Sequence, residues 1–406
     1  MTALAQLLRS GDRVWVAGSA NEPSTLLDAL AEEKLPSDIT FVQFPLAGYN
    51  QFDFTRFADD ACMETFFMTP HLKSADPQRL KFLPMQMRAV YDYLAGNIDV
   101  VLIQAARDHQ GVLRLGPNVD FVAAALASAG RVGVEINQSF VAAAGSIALD
   151  EHRIDTAVES DRPLIELAAP NIDDAALAIG REVAQLIRDG DCLQTGIGSI
   201  PAAILAELND HNDLGLHGGL LDDGGMRLIQ AGNITGQCKQ IDQGLHVTGM
   251  ALGSHELHDW LAATPSVQFA GANHTHEYTV ILQLDNFVSV NSAVEVDLFG
   301  QVNAEVAGGR QLSGTGGSVD FMRAAAASRG GRSIVAMNAT ARGGTVSRIV
   351  PKVEMVTALR TDVDMVVTEY GCARLKGSSS ADRARALIEI AAPQFRDELE
   401  MGLRVG

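Results

Sequence analysis

Short apolar runs alternate with helix-like segments along the first part of the chain. Apolar runs at residues 13–17, 39–44, 100–103 and 132–136 have the length and continuity of strands that are covered on both faces. Between the first two runs, residues 24–35 show the 3.6-residue spacing of an amphipathic helix. Strands that alternate with helices in this way predict a parallel sheet with right-handed crossovers.

A polar stretch at residues 161–174 interrupts this alternation and contains two prolines. We therefore predict an N-terminal α/β domain at residues 1–170 and a C-terminal α/β domain at residues 171–406. For the second domain, the pattern predicts helices at 175–188, 202–208 and 383–390, the last helix of the chain, and strands at 192–195, 280–284, 334–337 and 365–367. The expected fold is α/β, with a mainly parallel sheet covered by helices in each half.

Composition and charge narrow the range of partners. The chain of 406 residues has a formal net charge of −19, with 47% hydrophobic and 20% charged residues. This is the balance of an ordinary globular protein, but an acidic surface of this size repels phosphate backbones. We therefore expect no nucleic-acid partner. Because the sequence contains no apolar stretch of about eighteen residues, we also expect no membrane partner.

The cysteines and the N-terminus indicate a cytoplasmic protein. Cys62, Cys192, Cys238 and Cys372 lie far apart and form no CxxC pair, so neither a zinc ribbon nor a disulfide scaffold is predicted. Residues 1–10 contain one arginine and no apolar run of signal-peptide length. Reduced thiols in the cytoplasm are the simplest interpretation.

Two glycine motifs are candidate binding loops. The segment 194–201, QTGIGSIP, lies between a predicted strand and a predicted helix, and its proline suits the first helical turn. Free amides at such a helix start attract a phosphate or the oxyanion of an attacked thioester carbonyl, although a lone GxG also fits a tight turn without a ligand. The segment 313–321, SGTGGSVDF, is either a second anion or thioester cradle or a flexible surface loop.

Acidic residues and histidines supply further candidates. Alternation in the segment 291–303, NSAVEVDLFGQVN, places Glu295 and Asp297 on one strand face, where they could act in acid–base chemistry or simply face solvent. The motifs 255–258, HELH, and 274–276, HTH, have no third ligand at metal-binding spacing. We therefore predict no metal site and expect these histidines to be solvated or packed in the core.

In their order along the chain, these motifs resemble the acetyl-CoA hydrolase/transferase family, which includes 4-hydroxybutyrate and acetate CoA-transferases. The resemblance runs from Gly11 to Arg396, is strongest after residue 190, and includes VSRIVP at 346–351 and VTEYGCARLKG at 367–377. It implies two CoA-transferase-type (NagB/RpiA-like) α/β halves. It also implies acyl-CoA and a small carboxylic acid as partners, coenzyme A as a substrate with no permanently bound cofactor, and a homo-oligomer.

The resemblance also implies a mechanism. The family uses a glutamate carboxylate that attacks acyl-CoA, forms an acyl-glutamyl anhydride and then a glutamyl-CoA thioester, from which an incoming acid takes the CoA. By resemblance, the groups that bind CoA and the oxyanion are Gly196, Ile197, Gly198, Ser199, Ile200, Gly316 and Gly317, with Arg342 in place of a family lysine.

The catalytic glutamate of the family is missing from this chain. In the family it lies in a segment similar to HTEMxSDG, which is HGGLLDDG at residues 217–224 here, so Gly219 takes its position. Glycine has no side chain to form an anhydride, and Asp222 or Asp223 is the nearest candidate replacement. For thioester hydrolysis, the candidate general bases are Asp222, Asp223 and Glu295. The expected activity is CoA transfer between a short-chain acyl-CoA and a carboxylic acid. Thioester hydrolysis and CoA binding without catalysis remain open.

Overall fold

Two compact units make up the structure, which is a computed structural model that describes residues 3–404. The N-unit comprises the described residues up to Ala168 together with Val247–Thr275. The C-unit comprises Ala169–His246 and the chain from His276 onward. Within residues 3–404, no helix is both long and apolar enough to cross a membrane.

The N-unit is discontinuous in sequence. The predicted boundary at residue 170 left residues 247–275 in the C-terminal half, whereas the structure groups this segment with the N-unit. Within that unit, the amide of Val119 donates a hydrogen bond to the oxygen of Gly249 at 2.9 Å. Such a long-range contact leaves no mark in local composition, so the sequence pattern did not reveal the excursion.

Strands and helices alternate in both units, as the sequence predicts. The strands are β1 (Arg13–Val16), β2 (Thr40–Gln43), β3 (Cys62–Thr65), β4 (Leu80–Phe82), β5 (Val100–Arg107), β6 (Leu113–Leu115), β7 (Arg131–Asn137), β8 (Thr156–Ser160), β9 (Cys192–Gln194), β10 (Gly215–Leu216), β11 (Leu220–Leu221), β12 (His246–Thr248), β13 (Met250–Ala251), β14 (Val267–Phe269), β15 (Phe287–Asn291), β16 (Glu295–Asp297), β17 (Val302–Asn303), β18 (Val306–Ala307), β19 (Arg310–Gln311), β20 (Arg332–Ala336), β21 (Thr340–Ala341), β22 (Val346–Ser347), β23 (Ile349–Val350), β24 (Met365–Thr368) and β25 (Gly371–Arg374). The α-helices are α1 (Ala3–Leu7), α2 (Ser24–Ala31), α3 (Met87–Leu94), α4 (Val122–Ser128), α5 (Asp174–Ala184), α6 (Ser199–Ala206), α7 (Asp223–Ala231), α8 (His255–Ala262), α9 (Ala272–Thr275), α10 (Tyr278–Ile281), α11 (Ser318–Ala327), α12 (Ser380–Glu389) and α13 (Arg396–Arg404). Short 3-10 helices lie at Ser19–Asn21, Phe54–Arg56, His71–Ser74, Glu151–Arg153 and Pro393–Phe395.

The N-unit is built on a parallel sheet with the strand order β4-β3-β2-β1-β5-β7-β8, to which β6 adds as an antiparallel strand beside β5. Its central strands are almost entirely buried because helices cover both faces. Phe41 of β2 stacks on Phe54 with ring centroids 4.8 Å apart, which extends the core beyond the sheet.

The C-unit sheet has the strand order β10-β9-β15-β20-β24-β25. Neighbouring strands are parallel except for β24 and β25, which form an antiparallel hairpin. Helix α6 lies between β9 and β10 in sequence, and α11 lies between β15 and β20. A helix that crosses between parallel strands begins at their carboxyl edge, so α6 and α11 both start at the same edge of this sheet.

One predicted strand of the C-terminal half is wrong, and one predicted helix is present but is not the last of the chain. Residues 280–284 were expected to be a strand, but helix α10 covers the start of this run, and the strand is β15, farther along the chain. The side chain of Glu277 caps α10 by accepting from the amide of Thr279 at 3.2 Å, and a short apolar run does not distinguish a helix from a strand. The helix predicted at residues 383–390 is confirmed as α12 (Ser380–Glu389), but it is not the last helix because α13 follows it.

A buried ion pair stabilises the amino end of the C-unit sheet. Arg332 at the start of β20 pairs with Asp191, which directly precedes β9, and their side chains are only 10% and 2% exposed. Asp191 also accepts from the amide of Arg188 at 2.7 Å. Burial raises the pKa of Asp191 even beside the guanidinium, so the carboxylate depends on Arg332 for its charge compensation.

We expect Arg332→Ala to lower the free energy of unfolding by about 3–5 kcal/mol, because it leaves a buried carboxylate without its partner. Urea unfolding followed by far-UV circular dichroism measures this effect. Tryptophan fluorescence is not suitable for the C-unit, because Trp15 and Trp260 both lie in the N-unit. Arg329→Ala is the matched control. It breaks the ion pair of Arg329 with Asp285, in which the arginine is 86% exposed, and should leave the midpoint unchanged.

Candidate active site

The turn between β9 and α6 presents a row of backbone amides at the carboxyl edge of the C-unit sheet. Gly198 is the N-cap of α6 and has φ +112°, a conformation that favours glycine. Among the described residues, the amides of Gly196, Ile197 and Gly198 donate no hydrogen bond. The first amides of α6 have no partner within the helix, and Ile197 is 39% exposed. This turn can therefore receive an anion or a polarised carbonyl oxygen.

The second glycine motif forms a similar turn at the start of α11. Gly316 has φ +57°, and Gly317 is the N-cap of the helix without a side-chain cap. The hydroxyl of Ser318 donates back to the oxygen of Thr315 at 3.0 Å. Among the described residues, the amides of both glycines donate no hydrogen bond. The turn is thus a built helix start rather than a flexible loop.

The segment 217–219 follows β10 and lies beside the end of β9. A methyl group on Gly218 would lie 3.1 Å from Cγ of Gln194, so the two strand ends are in close contact. His217 and both glycines of this segment are buried. The position that the family resemblance gives to the catalytic glutamate is therefore inside the C-unit, next to the β9 turn.

His276 packs against both Gly219 and Gly317. A methyl group on Gly219 would lie 2.9 Å from Cε1 and 3.1 Å from Nε2 of the imidazole, and one on Gly317 would lie 2.3 Å from Nε2. The ring also packs against Phe321 of α11, with centroids 4.4 Å apart. Burial lowers the pKa of His276 to about 3, so the imidazole is neutral at physiological pH.

His276 is the residue of this site that sequence reasoning missed. The HTH motif offered only a solvated or core-packed histidine, and the second description fits, since the side chain is 2% exposed. Its neighbours Gly219 and Gly317 are distant in sequence, and glycine gives no signal for what packs on it. The contact could have been suggested only by pairing glycines at unexpected positions with polar side chains that are expected to be buried.

The three carboxylates proposed from the sequence are already engaged or lie outside the turns. Asp222 is the N-cap of α7 and accepts from the amide of Gly225 at 2.9 Å. Burial raises the pKa of Asp222. Asp223 is the first residue of α7. Glu295 accepts from the side-chain amide of Asn303 at 3.0 Å, within the β16–β17 hairpin, and from the backbone amide of Glu354 at 2.8 Å.

Arg342 and Arg348 differ in their exposure and in their surroundings. Arg342 lies with φ +50° in the exposed turn of the β21–β22 hairpin. Arg348 lies partly buried just before β23, and its amide donates to the oxygen of Ala339 at 2.8 Å. Glu369, at the carboxyl end of β24, accepts from the amide of Ala339 at 2.8 Å. Burial lowers the pKa of Arg348, and the charge of Glu369 opposes this shift. Among the described residues, the guanidinium makes no direct hydrogen bond or ion pair.

The N-unit has a separate buried polar cluster where β1 ends. Asn21 is fully buried, and neither polar atom of its side-chain amide has a partner among the described residues. Gln43 donates to Glu22 at 2.7 Å, and burial raises the pKa of Glu22 to about 8. Glu22 is therefore mostly protonated at neutral pH. Orphaned buried polar atoms of this kind are rare and commonly mark the place of a water or ligand.

We expect Asp222→Asn to retain thioester-cleaving activity, because asparagine caps a helix as well as aspartate does. Asp222→Ala should lower the free energy of unfolding by about 1 kcal/mol through loss of the cap. Steady-state rates and urea unfolding of both variants test this. A folded Asp222→Asn protein without activity would instead make this carboxylate catalytic.

Comparison with known protein families gives matches over both ends of the chain. Residues 1–166 match the acetyl-CoA hydrolase/transferase N-terminal domain, and residues 253–403 match the acetyl-CoA hydrolase/transferase C-terminal domain. Among curated proteins, the 4-hydroxybutyrate coenzyme A transferase of Clostridium kluyveri is 42% identical over 306 residues, which is 74% of this chain and 71% of the relative.

Longer matches cover nearly the whole chain. The succinyl-CoA:cyclohexane-1-carboxylate CoA transferase of Geobacter metallireducens is 32% identical over 98% of this chain and 93% of the relative. The crystal structure of RipA from Yersinia pestis superposes with a TM-score of 0.93 at 32% identity, over 99% of this chain and 96% of RipA. The fold is thus of the CoA-transferase type, and the chain belongs to the acetyl-CoA hydrolase/transferase family.

Proposed function

We propose that this protein is a CoA-transferase that moves CoA between a short-chain acyl-CoA and a carboxylic acid. The observation that carries the proposal is the row of unbonded amides from Gly196 to the start of α6, at the sheet edge where α11 also begins. Relatives with CoA-transferase names over most of the chain support the same reaction.

The amides at the two helix starts supply the electrostatic part of this reaction. Attack on a thioester carbonyl turns its oxygen into an oxyanion, and the amides around Gly198 and Gly317 stabilise that charge without reorganising. A fixed donor of this kind contributes about a hundredfold or more to the rate. The neighbouring imidazole of His276 is neutral and buried, so the amides and not an imidazolium cation stabilise the oxyanion.

Arg348 is our candidate for the group that binds the carboxylate of the acid substrate. A partly buried guanidinium that makes no direct hydrogen bond or ion pair with the described residues favours an anion, and its planar fork matches a carboxylate with two parallel hydrogen bonds. Arg348 lies beside Ala339 and Glu369, near the carboxyl ends of β20 and β24. Arg342, which the sequence suggested as the cation, is exposed at a hairpin turn, whereas Arg348 is partly buried.

Thioester hydrolysis is the second candidate. The specific observation in its favour is Gly219. Without a carboxylate at this position, no side chain takes the acyl group from the thioester, and water can attack it instead. The two activities differ in their need for an acid. Incubation of the protein with acetyl-CoA or butyryl-CoA, with and without a panel of carboxylic acids, distinguishes them by mass spectrometry of the CoA products.

We expect a new acyl-CoA to form only when its acid is present. Release of free thiol at the same rate without any acid would establish hydrolysis instead. If neither product forms with any short-chain pair, the proposed transfer is wrong.

We expect Gly198→Ala to lower kcat/KM by about tenfold or more, because a side chain is strained at φ +112° and shifts the amide row. Gly232→Ala is a matched control, since this C-cap of α7 has φ +85° and, like Gly198, open space around it. The control should share the strain but keep its activity. Equal losses in both variants would mean that strain alone explains the effect.

We expect Arg348→Gln to raise KM for the acid by about ten- to a hundredfold, the worth of a charge-assisted hydrogen bond pair. Arg342→Gln, at the exposed hairpin turn, should leave this KM unchanged. Initial rates at varied acid and at varied acyl-CoA separate the two substrates. A rise confined to the KM of acyl-CoA would assign Arg348 to a CoA phosphate instead.

A further inference from the structure

The side-chain position of residue 219 is already occupied. In most contacts between a Cβ atom and its neighbours the separation exceeds 3.4 Å, whereas a methyl group on Gly219 would lie 2.9 and 3.1 Å from two ring atoms of His276. The ring cannot turn aside freely, because it is 2% exposed and packs against Phe321. A side chain at residue 219 and an imidazole at residue 276 therefore exclude each other in this packing.

Gly317 closes the other side of the same imidazole. A methyl group there would lie 2.3 Å from Nε2 and 2.4 Å from Cδ2, closer than real contacts allow. The imidazole is thus wedged between the segment that follows β10 and the N-cap of α11. Both glycines are needed for this arrangement, and the wedge holds the amide of Gly317 in a fixed place at the sheet edge.

Three carboxylates of the C-unit, those of Asp222, Glu295 and Glu369, do not replace the missing side chain. Asp222 caps α7 through the amide of Gly225, and Glu295 binds Asn303 and a backbone amide. Glu369 accepts from the amide of Ala339 at 2.8 Å. Each of these groups has a structural task, and none packs against Gly219, whose nearest side-chain atoms belong to His276 and Phe321.

We propose that CoA transfer in this protein is direct, with no covalent enzyme intermediate, and that His276 is a positioning residue that seals the place of the side chain at residue 219. The proposal rests on the proposed transferase function. The acceptor carboxylate oxygen attacks the thioester carbon, and CoA leaves as the thiolate while a mixed anhydride forms. The thiolate then attacks the acceptor carbonyl of the anhydride, which gives the new thioester and releases the donor carboxylate.

Direct transfer requires donor and acceptor to be bound together. Initial rates over a matrix of acyl-CoA and acid concentrations should give intersecting double-reciprocal lines, where a covalent intermediate gives parallel lines. Intact-protein mass spectrometry after incubation with acyl-CoA alone should show no added CoA or acyl group. Parallel lines, or an adduct on any side chain, would refute direct transfer while leaving the transferase function intact. Absence of transfer with every acid refutes the function and this inference together.

The role of His276 is tested by variants at residue 219. We expect Gly219→Ala to lower the melting temperature by about 4 °C or more, because the added methyl group overlaps the ring. In a His276→Ala background, the same change should cost less than half as much. Gly196→Ala is the matched control, since this glycine of the same sheet edge has open space around it. An equal cost of Gly219→Ala in both backgrounds would refute the packing argument.

A chemical readout separates sealing from ordinary packing. Gly219→Glu should form no CoA adduct when His276 is present, whereas Gly219→Glu with His276→Ala should accumulate a CoA thioester on the introduced carboxylate. An adduct in the single variant, or its absence from a folded double variant, would show that the imidazole is not what closes this position. If His276→Ala prevents folding, the rate matrix and mass spectrum of the unaltered protein still decide whether transfer is direct.

Discussion

Parallel pairing of β10, β9, β15 and β20 is the constraint on which the candidate site depends. In a parallel sheet all carboxyl ends lie at one edge, and every crossover helix begins there. The turn before α6, the segment after β10 and the turn before α11 are far apart in sequence, yet this register delivers all three to the same edge.

The electrostatics of this edge depend on backbone amides more than on charged side chains. The chain has a net charge of −19, and an anionic ligand such as CoA would be repelled by carboxylates left free near its site. Asp222, Glu295 and Glu369 instead accept hydrogen bonds from backbone amides, which offsets their charge. Arg348 remains as a partly buried cation that makes no direct ion pair with the described residues, so the acidic protein still offers an anion a local attraction.

The wedge of His276 between Gly219 and Gly317 links packing to chemistry. Gly219 and Gly317 pack against the same imidazole, and a side chain at either position would displace the ring. The neutral state of the ring follows from its burial, which lowers the pKa of His276 because a buried imidazolium would lose its hydration. The imidazole thereby fills the space beside both glycines.

The amino-acid sequence alone predicts the α/β class, most central strands and both glycine turns, because continuous apolar runs and glycines before helices are local signals. It also reveals that residue 219 lacks a side chain. It could not predict the discontinuous N-unit, the helix at 278–281, the exposure of Arg342 or the capping role of Asp222, which depend on hydrogen bonds and burial. The contact of His276 with two glycines was decided by the tertiary structure alone. A glycine has no side chain whose chemistry would indicate a partner, and only the packing of the folded chain brings one imidazole against both.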